Sequence, residues 1–378
     1  MEMTDEDIRY ITYRQSQLLD EDWKSIFDPA KWRAWAEQNI EQFRALIEQS
    51  STVGRSSIIG HLEDFLSFGP DTVYELPTSR AIFAPIFEEV EMAAERIGLK
   101  PIRVVRLFTS TGIDASPSAF PTSADHMLFV GLGTSSFCNY WAKCITVLIM
   151  AIHPSIGMRR MEKAEDVESV FRNAPHGLLL ATRLVLYYAT FGTVIGFGEV
   201  KQPPECLAYR VQLLDAMETF AIAHEYAHFV AEERLPEFSG VLDSAQSQKL
   251  ELFCDRLGLS ISRESGSVVD NYLTFAGVGA LVTFRVMQMC DTARKLIGES
   301  FRPISGITGS DRSTSSHPEY EDRIQLLKGT LCENTALDQR DQLESIVEEY
   351  DFILCMIAKT VISALATALE RAHSGSLT

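Results

Sequence analysis

The chain has 378 residues, hydrophobic and charged fractions of 46% and 23%, and a net charge of −18. The length suits one large domain with an appended region, or two domains, and the composition excludes a disordered chain. An acidic surface repels nucleic-acid phosphates and anionic lipid head groups, so we expect neither as a partner. Seven scattered cysteines without a C-x-x-C pair, and an acidic N-terminus without an apolar core, indicate a reduced cytoplasmic protein without a signal peptide.

Residues 1–80 are predicted to form a helical N-terminal region. Asp28 is suited to cap a helix, and Pro29 to occupy its first turn. Apolar residues then recur with helical spacing from Trp32 to Ile47, which predicts an amphipathic helix that packs against the rest of the protein. Two turn-forming segments, SSTVGRSS and FGPD, separate this helix from the remainder of the chain.

Residues 81–378 combine a few predicted strands with many helices. A helix is predicted over 86–100, ending near Gly98, and strands are predicted over 102–110 and 126–133, joined by a turn-rich connector. The later residues have mainly helical patterns, including an insertion at about 135–205. The exception is a loop rich in Gly, Ser and Thr at 303–320. The predicted class is therefore α+β, mostly helical with a small sheet.

Three apolar stretches, at 177–198, 272–289 and 350–369, approach the length of a membrane span. Each contains a charged residue: Arg183 in the first, Arg285 in the second, and Asp351 with Lys359 in the third. A charge near the middle of a span is costly in lipid. The stretches are therefore interpreted as buried core helices, while a contact with the membrane surface stays open but is not favoured.

The segment FAIAHEYAHFVAEE carries the chemistry that the sequence indicates most directly. In a helix, His224 and His228 lie on one face, about 5–6 Å apart at Cβ, with Glu225 at the edge of that face. This H-E-x-x-H pattern is typical of zinc metallopeptidases, in which one helical turn supplies two ligands and a general base. The alternative is a polar pair on a partly exposed helix. The surrounding apolar residues argue against it, because buried polar side chains need partners.

A zinc site with two histidines needs a third protein ligand, and a catalytic site leaves the fourth position to water. In QKLELFCDRLGLSI, Glu251 and Asp255 are again four residues apart on a predicted helix. Glu251 is interpreted as the third ligand, with Asp255 placed to accept a hydrogen bond from a ligand histidine. Cys254 and Asp243 are alternative ligands. The pair can also be the solvated face of an ordinary amphipathic helix.

These motifs, in this order, resemble those of the gluzincin metallopeptidases. A third motif, SSHPEYEDRIQLL, resembles the H-P-x-x-x-x-R-I-x-x-L segment of the M48 family of Ste24- and HtpX-like peptidases. The helix and strands before the zinc motif share that family's layout. Ser118–Phe120 stands where the family has an Asn-Ala-Phe-like run, with serine replacing the asparagine. Ste24- and HtpX-like proteins are integral membrane proteins, whereas this chain has no clear spans.

The resemblance implies a zincin-like domain and a role for each matching residue. His224, His228 and Glu251 would bind zinc, and Glu225 would be the catalytic base. His317 would stabilise the oxyanion, and Arg323 would organise the site from behind. The strand at 126–130 would receive the substrate backbone. From the residues alone, His317 is more simply interpreted as a turn residue, because the residue before a proline is pushed out of helix, and the motif order is what supports a catalytic role.

The sequence thus predicts a zinc-dependent endopeptidase that acts on a protein or peptide substrate. One alternative is a non-catalytic, zinc-containing, peptidase-like protein that binds or regulates a partner. Another is a structural or membrane-associated protein that uses its three apolar stretches. Zinc content separates the last class from the others, and an assay for proteolysis separates the first two.

Overall fold

The computed structural model describes residues 5–17, 34, 37–41, 72, 74–110, 112–122, 125–156, 175–238, 240–298, 318–333 and 337–373. These residues are mostly helical, with a three-stranded sheet, which confirms the predicted α+β class. The helices are α1 (Asp5–Gln17), α2 (Pro77–Arg96), α3 (Leu132–Ile156), α4 (Pro175–Phe191), α5 (Leu207–Arg234), α6 (Ser244–Val268), α7 (Tyr272–Phe275), α8 (Val278–Ile297), α9 (Tyr320–Glu333) and α10 (Leu337–His373). The strands are β1 (Val105–Ser110), β2 (Ser118–Phe120) and β3 (His126–Gly131).

The sheet has the order β1-β3-β2, with β1 parallel and β2 antiparallel to the central strand β3. Side chains alternate between its two faces, as in any strand. One face of β1 and β3 packs against α2, α5 and α6, and the other, which includes Phe108, Met127 and Phe129, packs against Ile11 of α1. Both faces are therefore covered, and the N-terminal helix forms the back layer.

Side-chain contacts hold α1 on the sheet in addition to this apolar packing. The side-chain amide of Gln15 donates to the Thr109 carbonyl of β1 at 2.6 Å and accepts from the Thr72 hydroxyl at 2.5 Å. The Arg14 guanidinium lies 4.1 Å from the ring centre of Phe120 in β2. Helix α1 thus contacts both edges of the sheet.

Most predicted elements near the sheet form with shifted ends. Helix α2 begins at Pro77, nine residues before the predicted start, because a proline costs no hydrogen bond in the first turn of a helix. It ends at Arg96, close to the predicted stop, and Gly98 then takes a positive φ of 73°. The division at residue 80 stays a prediction, and α2 runs across that position.

Strand β2 lies inside the segment that the sequence predicts as a turn-rich connector, so that prediction was incomplete. Three residues are too few to show a strand pattern. Of the amphipathic helix predicted from Asp28, the structure describes residues 34 and 37–41, and these are helical. The part of the predicted 303–320 loop up to residue 317 lies outside the described residues.

A second, larger core is made by helices α3, α4, α5, α8, α9 and α10. All three apolar stretches contribute to it, for example through Leu184, Leu281 and Ile357. Two of the charges inside those stretches pair with each other: the Arg285 guanidinium donates two hydrogen bonds to the Asp351 carboxylate, at 2.6 and 3.1 Å. Arg285 and Asp351, whose charges would be costly in lipid, thus neutralise each other between α8 and α10.

Among the described residues, one helical segment, Arg340–Arg371 in α10, has the length and composition to cross a membrane, because an 18-residue window within it has a mean hydropathy of 2.1. One face of this segment is used in packing, because Leu354, Ile357 and Val361 are buried in the helical core. Core helices of soluble proteins meet the same criteria of length and composition. The pattern by itself therefore does not indicate a span.

Helices α5 and α8 approach so closely that Gly279 has no room for a side chain. A Cβ atom there would stand 2.1 Å from the Ala216 carbonyl oxygen. We expect Gly279→Ala to lower the free energy of unfolding by about 1–3 kcal/mol, because the helices must separate. Gly329→Ala is the matched control, since its Cβ would meet nothing within 4 Å, and alanine at this exposed position in α9 should stabilise by about 0.5–1 kcal/mol. Urea denaturation measures both, and equal effects would contradict the close approach.

Candidate metal centre

Helix α5 carries the histidine pair through the middle of the protein. Its 28 residues contain neither Gly nor Pro and are rich in Ala, Leu and Glu, which favour helix. Apolar residues occur all around it, because it packs at once against α3, α6, α8 and the sheet. His224 is buried and His228 is half-buried. The two imidazoles therefore lie within the protein rather than on a solvated face.

The side chains of His224, Glu225 and His228 offer ligand atoms that lie within 4.8 Å of one another. Glu251 faces the same pair: its carboxylate oxygens lie 3.5 Å from His224 Nε2 and 3.8 Å from His228 Nε2. Two atoms bound to one tetrahedral zinc ion stand about 3.3–3.6 Å apart, whereas a charge-assisted hydrogen bond spans about 2.7–2.9 Å. The Glu251 contacts fit a shared cation better than direct hydrogen bonds.

Helix α6 brings Glu251 to the histidines because it packs directly on α5. At Gly258, a Cβ atom would stand 2.7 Å from the Cα atom of His224, so only glycine permits this approach. The helix begins with a capping box, in which the Asp243 carboxylate accepts from the Gln246 backbone N–H at 2.8 Å. Asp243, an alternative ligand in the sequence, is thus used at the exposed end of α6.

Asp255 lies one helical turn after Glu251 and contacts the other nitrogen of His224. The distance from Asp255 Oδ1 to His224 Nδ1 is 2.9 Å, although the ring N–H does not point straight at that oxygen. Arg323 of α9 donates two hydrogen bonds to the same carboxylate, at 2.5 and 2.6 Å. The chain of contacts Arg323–Asp255–His224 fixes the imidazole with Nε2 directed at Glu251.

The two histidines, the two carboxyl groups and Arg323 shift one another's pKa values. Burial disfavours the charged form of His224, but Asp255 and Glu251 outweigh it and raise the pKa of His224 to about 10. Burial and the neighbouring His224 lower the pKa of His228 to about 4. The pKa values of both carboxyl groups are lowered despite burial, by the histidines at Glu251 and by Arg323 at Asp255. These shifts leave two carboxylates, a protonated His224 and a neutral His228. Because only neutral imidazole binds metal, an ion bound at His224 would displace its proton.

Glu225 connects the histidine pair to the sheet. The backbone N–H of Ala119 in β2 donates to its carboxylate oxygen Oε2 at 3.0 Å. The prediction that the strand at 126–130 receives the substrate backbone is wrong. Strand β3 is paired on both sides, with β1 and with β2, so it has no edge to offer. The edge strand beside the site is β2, in the segment Ser118–Phe120.

A cavity of about 450 Å³ opens above these residues. Its walls come from β2, from the facing side of α5, and from α3, α6, α8 and α9. The histidine pair, Glu225, Glu251 and Arg323 all line it. The candidate centre is thus open to a ligand on one side and closed by the protein on the other, which is typical of catalytic rather than structural zinc sites.

The other predicted site residues are Cys254, Arg323 and His317. Cys254 lies in the apolar cluster between the sheet and α5, and burial raises the pKa of its thiol well above the ordinary value. The thiolate that zinc requires is therefore disfavoured there. Arg323 lies behind His224 and against Asp255. His317 lies outside the described residues, and its role stays a prediction.

Two glutamates at the end of α5 were not predicted from the sequence. Glu233 accepts backbone hydrogen bonds from Ile102 and Arg103 and lies 3.0 Å from the buried His126 of β3. It ties α5 to the start of the sheet. Glu232 lines the cavity, and its position four residues after His228 is a signal that could have identified it.

A scan against protein-family models, a search of curated proteins and a search of solved structures gave no match to this chain. The motifs and their geometry are therefore the basis on which a function can be assigned.

We expect the purified protein to bind one zinc ion per chain and Asp255→Asn to weaken that binding by about 10- to 100-fold, because His224 loses its anionic partner. Glu251→Gln should weaken it further, because a ligand is removed. Asp243→Asn is the matched control on the same helix, since asparagine caps a helix as well as aspartate does. Competition with a fluorescent chelator measures all three affinities. Unchanged affinity in Glu251→Gln would place the third ligand elsewhere.

Proposed function

We propose that the protein is a zinc-dependent endopeptidase that resembles the M48 gluzincins and hydrolyses a protein or peptide substrate. The observation that carries this proposal is the position of Glu251, 3.5 and 3.8 Å from the Nε2 atoms of His224 and His228. The open cavity above these residues supports a catalytic role over a structural one.

The donor set favours zinc over other common metals. Two imidazoles and one carboxylate suit a borderline ion with low coordination number, whereas magnesium and calcium prefer oxygen ligands alone. Zinc bound there would polarise a substrate carbonyl and acidify a water molecule. His224, His228 and Glu251 would hold the ion, with Asp255 and Arg323 keeping His224 in position.

Glu225 is the group best suited to move the proton. Its carboxylate borders the histidine pair and lines the cavity, so it can take a proton from the attacking water and pass it to the leaving amine. The hydrogen bond from Ala119 N–H keeps one of its oxygens in a fixed place. In this proposal, His317 of the H-P motif shares the oxyanion charge.

The edge strand β2 supports an extended peptide as the substrate. Within the part of the chain that the structure describes, β2 pairs with β3 alone and borders the cavity through Ser118, Ala119 and Phe120. An extended segment can add to such an edge through main-chain hydrogen bonds. A peptide laid along β2 passes beside Glu225, because Ala119 contacts that carboxylate.

Glu225→Gln tests the function directly. We expect this variant to retain zinc and to lose hydrolysis of a casein or peptide-library substrate by about 10²- to 10⁴-fold, because the amide cannot accept the water proton. Glu237→Gln, which removes the same charge from an exposed turn, should keep full activity. Cleavage by purified Glu225→Gln at the wild-type rate would reject the mechanism. Binding of peptides by the wild type without cleavage would instead favour a non-catalytic zinc protein.

A further inference from the structure

The cavity beside the candidate metal centre has two ends of different chemistry. Phe220 precedes His224 by one helical turn on α5, and Glu232 follows His228 by one turn. At 1.5 Å per residue, each lies about 6 Å along the helix axis from the nearer histidine. Both line the cavity. The histidine pair therefore stands between them.

The end at Phe220 is apolar. Phe137 and Cys138 of α3 and Phe284 and Met287 of α8 line the cavity with Phe220. The rings of Phe220 and Phe284 stand edge to face, 5.3 Å apart. The five residues belong to, or pack against, the helical core. This end offers a wide surface for a large apolar side chain.

The end at Glu232 is acidic. Phe238 and Leu250 also line the cavity, and they pack against the core between the sheet and α5, whereas the residues around Phe220 belong to the helical core. Glu232 is half-buried and makes no hydrogen bond or ion pair with the residues that the structure describes. Two apolar walls and one unpaired carboxylate suit the aliphatic stem and cationic head of lysine or arginine.

The charged residues that line the cavity also favour a basic ligand. Among the residues that the structure describes, the carboxylates of Glu225, Glu232 and Glu251 line the cavity, and the guanidinium of Arg323, which also lines it, is held by Asp255. Glu251 and Glu225 face the histidine pair, so Glu232 is the carboxylate that a bound metal would leave to a ligand. Glu232 lies on the same side of α5 as His224 and His228, because the three residues follow one another at four-residue intervals.

We infer that the protein selects peptides with a basic side chain on one side of the cleaved bond and a large apolar side chain on the other, with Glu232 as the residue that binds the basic group. This inference rests on the proposed function, since it assigns the substrate class of that site. An extended peptide advances about 3.3 Å per residue. Side chains within two residues of the cleaved bond, on either side of it, therefore reach the two ends of the cavity.

A digest of a random peptide library tests the inference. Mapping of cleavage sites by mass spectrometry should show lysine and arginine enriched at one position within two residues of the bond, and large apolar residues enriched across it. For a peptide pair that differs only in Lys or Glu at that position, Glu232→Gln should lower kcat/KM for the Lys peptide by about 10- to 100-fold. The value for the Glu peptide should not fall, and Glu232→Lys should reverse the preference.

Glu237→Gln and Glu237→Lys are the matched controls, because they change the net charge equally at an exposed position outside the cavity. They should keep the wild-type preference. Zinc content of each variant shows whether the centre is intact. Glu232→Lys with the wild-type preference, or Glu237→Lys with the same shift as Glu232→Lys, would overturn the inference.

A binding measurement separates failure of the inference from failure of the proposed function. Two zinc-loaded proteins, the Glu225→Gln variant and the Glu225→Gln, Glu232→Lys double variant, are each titrated with the two peptides by calorimetry. Tighter binding of the Lys peptide, reversed in the double variant, supports the role of Glu232 even when the wild type cleaves nothing. Cleavage by the wild type with no difference between the peptides rejects Glu232 while the peptidase stands.

Discussion

The close approach of helix α6 to helix α5 is the constraint on which the candidate site depends. Gly258 removes the side chain that would hold the helices apart at His224. Glu251 and Asp255, one turn apart on α6, then reach the two nitrogens of the same imidazole. The site is thus built between two helices, and its geometry is set by backbone packing rather than by loops, which favours a rigid centre.

The packing of α6 on α5 buries several charged side chains, which lowers the stability of the fold unless each charge has a partner of opposite sign. Arg323 is nearly buried and lies between the carboxylates of Asp255 and Glu251, with its guanidinium over the ring of Phe284 at 4.4 Å. Buried ion pairs seldom stabilise a fold more than apolar residues of the same size would. Their presence here is consistent with a functional need, because a divalent cation would bring the nearby carboxylates a further partner.

The sequence predicted what depends on local pattern. Residues four apart on a helix share a face, so the meeting of His224 and His228 followed from their spacing. The approach of Glu251 followed from the need of a zinc site for a third ligand and from the motif order. The position of Arg323 depended on the third motif, through a family resemblance, because nothing local relates α9 to α6.

What the sequence could not predict depends on tertiary pairing. Strand β2 is too short to have a period, and β3 proved to be the central strand, because strand order is decided by contacts between distant residues. Glu233, which joins α5 to His126 across more than one hundred residues, gives no local signal for the same reason.

The N-terminal helix α1 belongs to the sheet as much as the strands do. Ile11 fills the space behind Phe108, Met127 and Phe129, and Gln15 satisfies a β1 carbonyl. Without this helix, the described residues would leave Phe108, Met127 and Phe129 open to water, an apolar surface of the kind that promotes association between molecules. Among the described residues, the cover of the back face of the sheet thus depends on one short segment of thirteen residues.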